Sequence, residues 1–321
     1  MAEPLKATFF ALKPRDRMVL LPATLVFIVI IVALIGAFVA LNWGTLLHFR
    51  DLIAQSATTA TMSEDESMRM LGGMFGLFGW IFLFLFPIYI AIAAYEAACL
   101  RWMIRGEAPG LFGITIDNDT WRVWGVYWAW FLVNFVISFV MSILMMPIMF
   151  MTMGDIMQNP TPEAMSDWQM RVQLPITLLQ YIPLIFIGIR FGPAAATSVG
   201  LERFAFFTAW TVTRDRFWSL FGSYVVLWLS IFVVMTGLVG GLYAALMPDF
   251  TLNVMNNWRA LSPQEVLPQI MTPEGYTVLG ISYAAYFLMF AIYAVFAFGI
   301  NARAVLAALE EGKIEKPTAA A

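Results

Sequence analysis

The stretch "TLVFIVIIVALIGAFVAL", residues 24–41, decides the fold of this chain. It has no charged residue and no polar face at helical spacing, whereas a helix on the surface of a soluble protein has one. A helix needs about 20 apolar residues to cross a bilayer. Six apolar blocks qualify, at residues 18–47, 71–100, 121–151, 173–200, 217–247 and 276–309. The sequence therefore predicts an all-α polytopic protein with six transmembrane helices in one membrane domain, residues 1–321.

The composition narrows the classes of function. Charged residues make up 12% of the chain, about half the usual share of a soluble domain. A single cysteine, Cys99, and a single histidine, His48, exclude an intrachain disulfide and any metal or haem site built from several such ligands. The net charge of −3 gives no indication of nucleic-acid binding, which is typical of strongly basic domains. No phosphate loop, nucleophile elbow or dinucleotide fingerprint is present, so we expect a non-enzymatic protein without a cofactor.

The basic residues predict the orientation. Six crossings place both termini on one side of the membrane, and 14 of the 18 Lys and Arg residues fall in segments on that side. The other four are Arg50, Arg69, Arg171 and Arg259. Because basic residues concentrate in cytoplasmic segments, we expect both termini in the cytoplasm.

An internal repeat divides the chain. The odd-numbered helices begin with "KPRDRMVLLP" at 13–22, "IDNDTWRVWG" at 116–125 and "VTRDRFWSLFG" at 212–222, each with a central Asp. The second and third copies share further residues at a constant offset of 97, namely Trp121/Trp218, Gly125/Gly222 and Tyr127/Tyr224. The sequence therefore predicts three helical hairpins, over residues 1–105, 106–203 and 204–312, and a disordered tail over 313–321.

Polar and proline signals predict helix starts and short lead-in helices. Ser63 with Glu66, Ser262 with Glu265, Thr161-Pro162-Glu163 and Thr272-Pro273-Glu274 are typical of N-terminal caps. "AEPLKATFFAL" at 2–12 and "LERFAFFTAWTV" at 201–212 predict amphipathic cytoplasmic lead-in helices in the headgroup plane. Two roles stay open for them, recruitment of anionic lipid or a structural elbow between helices.

Charged and aromatic residues at the helix starts are interpreted as interfacial anchors. Arginines hold a helix end at the headgroups, and aromatic rings prefer the membrane interface. Asp215 would pair with its neighbouring arginines or cap the helix. The predicted anchors are Arg15, Asp16, Arg17, Asp119, Trp121, Arg214, Asp215, Arg216 and Trp218.

Polar residues within the membrane are the candidate functional site, because they are costly there. Glu96 and Arg190 are predicted at similar depth, with Asn301 close by, and an ion pair between them is one arrangement we expect. Either the cluster binds a substrate or proton, or it fixes helix packing. Asn134 belongs to the candidate set and predicts a hydrogen bond between helices.

A methionine-rich stretch follows at 141–157. Thioethers bind Cu(I), and the candidate ligands are Met145, Met149, Met151 and Met153. Methionine also fills apolar space, and no His or Cys cluster accompanies the stretch. We therefore favour packing and expect no metal site.

One segment resembles a known family. "RFGPAAATSVGLERFAFFTAWTVTRDRFWSLFGSYVVLWL", residues 190–229, resembles YciC-like bacterial membrane proteins and the membrane domain of proteins similar to glycerophosphodiester phosphodiesterases. The shared pattern is Ala209-Trp210, then Thr213 to Trp218, then a long apolar helix; Asp215 stands where such proteins often have Gly. The resemblance implies that the chain is a bacterial inner-membrane protein. It indicates the fold of the chain and assigns no activity.

Together these features predict a lipid-handling or envelope-assembly factor with membrane lipids as partners. The alternatives are a small-solute transporter with its site at Glu96 and Arg190, or a structural subunit, as a homo-oligomer or in a larger membrane complex. A transporter predicts a water-filled cavity that reaches Glu96, whereas a lipid handler predicts a lateral groove between hairpins.

Overall fold

Six long apolar helices dominate the structure, a computed structural model that describes residues 4–12, 20–56, 64–110, 113–158, 167–257 and 271–315. No strand occurs within these ranges. The candidate membrane spans are Leu20–Leu41, Leu71–Arg105, Asn118–Thr152, Gln169–Gly200, Phe217–Leu246 and Pro273–Glu310. The predicted all-α, multi-pass membrane protein with six spans is therefore confirmed.

The described helices are labelled in chain order. They are α1 (Pro4–Thr8), α2 (Leu20–Leu41), α3 (Trp43–Ser56), α4 (Glu64–Arg105), α5 (Asn118–Gln158), α6 (Leu174–Phe191), α7 (Ala194–Gly200), α8 (Thr208–Thr213), α9 (Phe217–Leu246), α10 (Pro248–Asn257) and α11 (Pro273–Glu310). A 3₁₀ turn at Phe10–Leu12 follows α1, and a π turn at Gln169–Gln173 leads into α6.

Most buried residues lie at one end of the bundle, which we call the packed end and define by residues 93–103, 194–201 and 298–308. There α4, α7 and α11 contact one another. Their buried faces are rich in alanine, which lets helix backbones approach closely in a membrane. Gly200 is an example, since a Cβ at this position would lie 3.1 Å from Val305. Toward the opposite end, most side chains of α5, α6 and α9 are exposed.

The chain turns between α6 and α7 at Gly192-Pro193. Proline has no backbone N–H to donate to the residue four positions earlier, and its ring disturbs the preceding turn. Two helices thus replace one continuous helix at this point. The turn places α7 between α4, α5 and α11.

The N-terminal segment is embedded in the protein. Ala7, Thr8 and Ala11 are buried against α9 and α11, and the Thr8 hydroxyl donates to the carbonyl of Ser223 at 3.1 Å. Phe9 and Leu12 point outward. The predicted placement of this segment flat in the headgroup plane therefore needs correction: its small residues pack into the protein, while only its large apolar side chains face outward.

The second lead-in is shorter than predicted. It contains only the short helix α8 of six residues, whose Ala209, Val212 and Thr213 are buried. The aromatic side chains on its other side, Phe207 and Trp210, are exposed. The structure thus favours the elbow over a long surface helix, because one side of the segment belongs to the core.

One of the predicted helix caps lies within the described residues. The Thr272 side chain accepts from the backbone N–H of Gly275 at 3.1 Å, so the predicted cap of α11 is confirmed. The cap residues Ser63, Thr161 and Ser262 lie outside the described residues. Two helices in the predicted outer loops, α3 and α10, were missed because their polar sequences show no apolar run.

The C-terminal segment returns to the protein. Gly312 has φ +67°, a left-handed conformation that glycine adopts without a Cβ clash. The backbone N–H of Lys313 then donates to Ala308 at 2.9 Å, and Ile314 is buried. These two residues, which the sequence assigns to a disordered tail, are packed; residues 316–321 lie outside the described part.

Candidate functional site

Glu96 lies on α4 at the packed end and is 5% exposed. The hydroxyl of Tyr127 on α5 donates to its carboxylate. Tyr95, the neighbouring residue, stacks on Phe27 and shares a 2.8 Å hydrogen bond with Thr24 of α2. Glu96 therefore stands in a set of polar contacts that join α2, α4 and α5.

Asn301 makes the equivalent contact on α11. The Tyr224 hydroxyl on α9 donates to its side-chain oxygen. A Cβ on Gly192 would come within 3.1 Å of that hydroxyl and 3.6 Å of the Asn301 oxygen. The glycine at the α6–α7 turn thus leaves the space that this hydrogen bond occupies.

Arg190 is held elsewhere. Its Nη1 donates to the carbonyls of Thr213 at 2.9 Å and Arg214 at 3.2 Å, while the Thr213 hydroxyl donates back to the Arg190 carbonyl at 3.0 Å. The guanidinium also lies over three rings, Phe186, Trp210 and Phe217, at 5.0–5.5 Å. Glu96 and Arg190 are not paired in the structure, because the backbone at the end of α8 takes the guanidinium.

Asn134 does not join the polar cluster. It is exposed on α5, and its amide donates to the Trp130 carbonyl of the same helix at 2.9 Å. The predicted hydrogen bond between helices is therefore wrong for this residue. A side-chain amide can donate its hydrogen bond to a carbonyl of its own helix when no neighbouring helix approaches.

The Arg-Asp-Arg triplet before α9 divides into three environments. Arg214 and the following Trp218 are exposed, as expected of anchors at an interface. Asp215 binds Lys313 Nζ at 2.7 Å, and this contact lowers the pKa of the Asp215 carboxyl. The pKa of Lys313 is raised by Asp215 and Glu311. The expected partners of Asp215, its neighbouring arginines, are replaced by a residue from the C-terminal segment.

Arg216 is a correction to the predicted anchors, since it is buried with 5% exposure. Its Nη2 donates to the Ala307 carbonyl at 3.2 Å and binds the Glu311 carboxylate, and Nη1 reaches the Val212 carbonyl at 3.4 Å. A cation at the C-terminal end of a helix is favoured by the negative end of the helix dipole. Arg216 therefore joins α9 to the end of α11 instead of meeting headgroups.

The start of α5 carries a second charged network. Asp119 is buried and binds Arg105 and Arg122, the latter at 2.6 Å. Arg101, 1% exposed, binds Asp117, which caps α5 by accepting from the backbone of Asp119 and Thr120. Trp121 is exposed, consistent with an interfacial ring. Arg15, Asp16 and Arg17 lie outside the described residues.

The candidate copper ligands do not share one environment. Met145 is 8% exposed, whereas Met149 and Met151 are 38% and 81% exposed. The side chain of Met153 lies outside the described part of the structure. The buried and exposed positions fit the packing interpretation of the stretch.

Lateral cavities between helices include two that the described residues line. The larger, about 760 Å³, lies between α6 and α9 and is lined by Ile182, Ile185, Phe186, Arg190, Arg214, Asp215, Phe217, Trp218, Ser219 and Phe221. The smaller, about 350 Å³, lies between α9 and α11 and is lined by Trp228, Ile231, Phe232, Met235, Tyr286, Met289, Phe290 and Tyr293. Both are walled mainly by apolar and aromatic side chains, and Glu96 lines neither.

Comparison with known protein families, with curated proteins and with solved structures finds no match to this chain. The residues and contacts above therefore carry the functional argument.

The sequence did not predict the roles of several residues at the site. Arg101, buried near the end of α4, pairs with the half-buried Asp117 in the short polar segment before α5, and neither residue was singled out from the sequence as part of a site. Tyr127 and Tyr224 were noted as repeated residues, and the structure adds that each donates a hydrogen bond to a polar residue of the neighbouring helix. Their recurrence at one spacing was the only signal available.

Proposed function

We propose that this chain is a non-enzymatic, lipid-handling protein of a bacterial inner membrane, in which membrane lipids occupy the lateral cavity between α6 and α9. The cavity carries the proposal. Six of its ten lining side chains are Ile or aromatic, and Ile182, Ile185 and Trp218 are exposed on the lateral surface of the bundle. Apolar clefts of several hundred Å³ are the usual form of a small-molecule site.

The arrangement of the packed end supports a cytoplasmic location for the termini. It gathers many basic side chains, among them Arg101, Arg105, Arg122, Arg190, Arg214 and Arg303. Basic residues concentrate on the cytoplasmic side of membrane proteins. The tyrosine contacts of α5 and α9 favour the three-hairpin repeat, since Tyr127 and Tyr224 make the same kind of bond.

The cavity also favours lipid over a soluble solute. The transporter alternative requires Glu96 and Arg190 in one aqueous site, yet Arg190 lines the lateral cavity while Tyr127 binds Glu96 in the core. Envelope assembly fits a protein that presents lipid laterally. The subunit alternative needs a flank that another protein covers.

Filling the cavity tests the proposal. Ile185→Trp adds a large side chain to the wall, and Val136→Trp, on the exposed face of α5, is the matched control. We expect the purified wild-type protein to keep phospholipid through extensive detergent washing, measured by native mass spectrometry. Ile185→Trp should retain at least one phospholipid fewer, and Val136→Trp should match the wild type. Equal retention in both variants would refute the lipid site.

A further inference from the structure

The cavity between α6 and α9 has a cationic mouth as well as apolar walls. Arg190 and Arg214 both line it, and neither has a carboxylate within ion-pair distance in the described part of the chain. Arg190 satisfies only Nη1, on the two carbonyls at the end of α8. A guanidinium has five N–H donors, and here Nε and Nη2 make no hydrogen bond to the described residues.

Among the described residues that line the cavity, the one carboxylate is already engaged. Asp215 lines the cavity, but Lys313 Nζ binds its Oδ2 at 2.7 Å, and Gly312 provides the turn that brings Lys313 there. The acid therefore does not neutralise the two arginines. The mouth keeps a net positive charge, which an anion of the surroundings can compensate.

The position of this charge matches a phospholipid headgroup. Exposed Trp210 and Trp218 surround the mouth, and such rings are enriched where hydrocarbon meets headgroups. From Arg190 the wall continues along α6 to Ile182, eight residues or about 12 Å deeper, on the side that would face the hydrocarbon. The phosphate of a phospholipid would thus lie at the arginines of the mouth, and its acyl chain would lie along the apolar wall of α6.

We infer that the α6–α9 cavity is a binding site for one anionic phospholipid, with its phosphate on Arg190 and Arg214 and no headgroup cation beside them. Guanidinium groups bind phosphate oxygens through paired N–H bonds, which makes arginine well suited to this role. The acyl chain lies along Ile182, Ile185 and Phe221. This inference rests on the proposed lipid function and adds the class of lipid.

Headgroup selectivity is the decisive measurement. Arg214→Gln removes an exposed cation that makes no described structural bond, and Arg203→Gln removes an exposed arginine outside the cavity. Native mass spectrometry would follow titrations with dioleoyl phosphatidylglycerol and dioleoyl phosphatidylcholine. We expect the wild type and Arg203→Gln to bind the anionic lipid about tenfold more tightly, because phosphatidylcholine would place its choline cation near the two arginines. Arg214→Gln should lose most of this preference.

A second variant tests the charge balance without touching the arginines. Lys313→Gln frees the Asp215 carboxylate at the mouth, and we expect it to weaken binding of phosphatidylglycerol about threefold to tenfold while phosphatidylcholine binding is unchanged. Inorganic phosphate at millimolar concentration should not displace the lipid, because phosphate lacks the acyl chain.

The outcomes separate this inference from the proposed function. A wild type that binds both lipids equally overturns the anionic site and leaves lipid handling intact. A wild type that binds neither lipid overturns both. Loss of preference in Arg203→Gln to the same degree as in Arg214→Gln, or displacement by phosphate alone, also overturns the site.

Discussion

Arginines of similar sequence context have different roles around α8 and α9. Arg214 and Arg216 are two positions apart, yet Arg214 is exposed at a cavity mouth and Arg216 is buried on the carbonyls of α11. Arg190, from α6, reaches the same region and stands between them in exposure. Arg190 and Arg216 each lie against the backbone carbonyls at the end of a helix, α8 for Arg190 and α11 for Arg216, and the sequence does not state this directly.

The two arginines of the triplet should respond differently to the same substitution. Arg216→Gln removes a charged donor from the end of α11 and should lower the free energy of unfolding by about 2–3 kcal/mol. Arg214→Gln should change it by less than about 0.5 kcal/mol, as an exposed substitution. Tryptophan fluorescence during denaturation in mild detergent measures both. Similar losses in the two variants would contradict the different placement of these side chains.

Residue types alone predicted which side chains are unusual, but not their partners. Glu96 and Arg190 were correctly singled out as polar residues within helices, and Glu96 is buried. Their partners are a tyrosine and backbone carbonyls. The sequence indicates how deep a residue lies along a helix, but not which way its side chain points around the helix axis. Glu96 and Arg190 were therefore predicted at the same depth and as a pair, although their side chains point to different partners.

At the scale of elements, small residues decide which segments enter the core. The N-terminal segment reaches α11 because Gly299 has no side chain: a Cβ there would lie 3.1 Å from both the Cβ and the backbone nitrogen of Ala11. Apolar length predicted all six spans, because a helix satisfies its own backbone hydrogen bonds and needs only an apolar stretch as long as the hydrocarbon is thick. The amphipathic pattern predicted lead-in helices where α1 and α8 lie, but not their placement, which depends on close packing against other helices.

Gly299→Val should release the N-terminal segment. The added side chain occupies the place of Ala11, so residues 4–12 should lose protection and exchange their amide hydrogens faster, measured by mass spectrometry. Gly280→Val is the matched control on the same helix, because a Cβ there meets no atom within 4 Å. Equal exchange of residues 4–12 in both variants would show that the Gly299–Ala11 contact does not hold the segment.

At the scale of the whole molecule, the burial is uneven along the membrane normal. The packed end holds nearly the whole core, with polar contacts between α4 and α5 and between α9 and α11. Farther along the helices, side chains such as Phe139, Leu178 and Phe232 are exposed and would face lipid. The larger lateral cavity begins beside the packed end and the smaller lies farther along the helices, and the composition of the chain could not indicate either position.

The environment of the α6–α9 cavity tests the central claim most directly. A nitroxide on Ile185→Cys, in a Cys99→Ala background, reports whether oxygen or a water-soluble nickel chelate collides with it in proteoliposomes. Reference labels are Val136→Cys on an exposed apolar face and Glu315→Cys on an exposed polar one. We predict that Ile185 resembles Val136, with high oxygen and low chelate accessibility. Chelate accessibility at Ile185 close to that of Glu315 would show a water-filled cavity and contradict lipid handling.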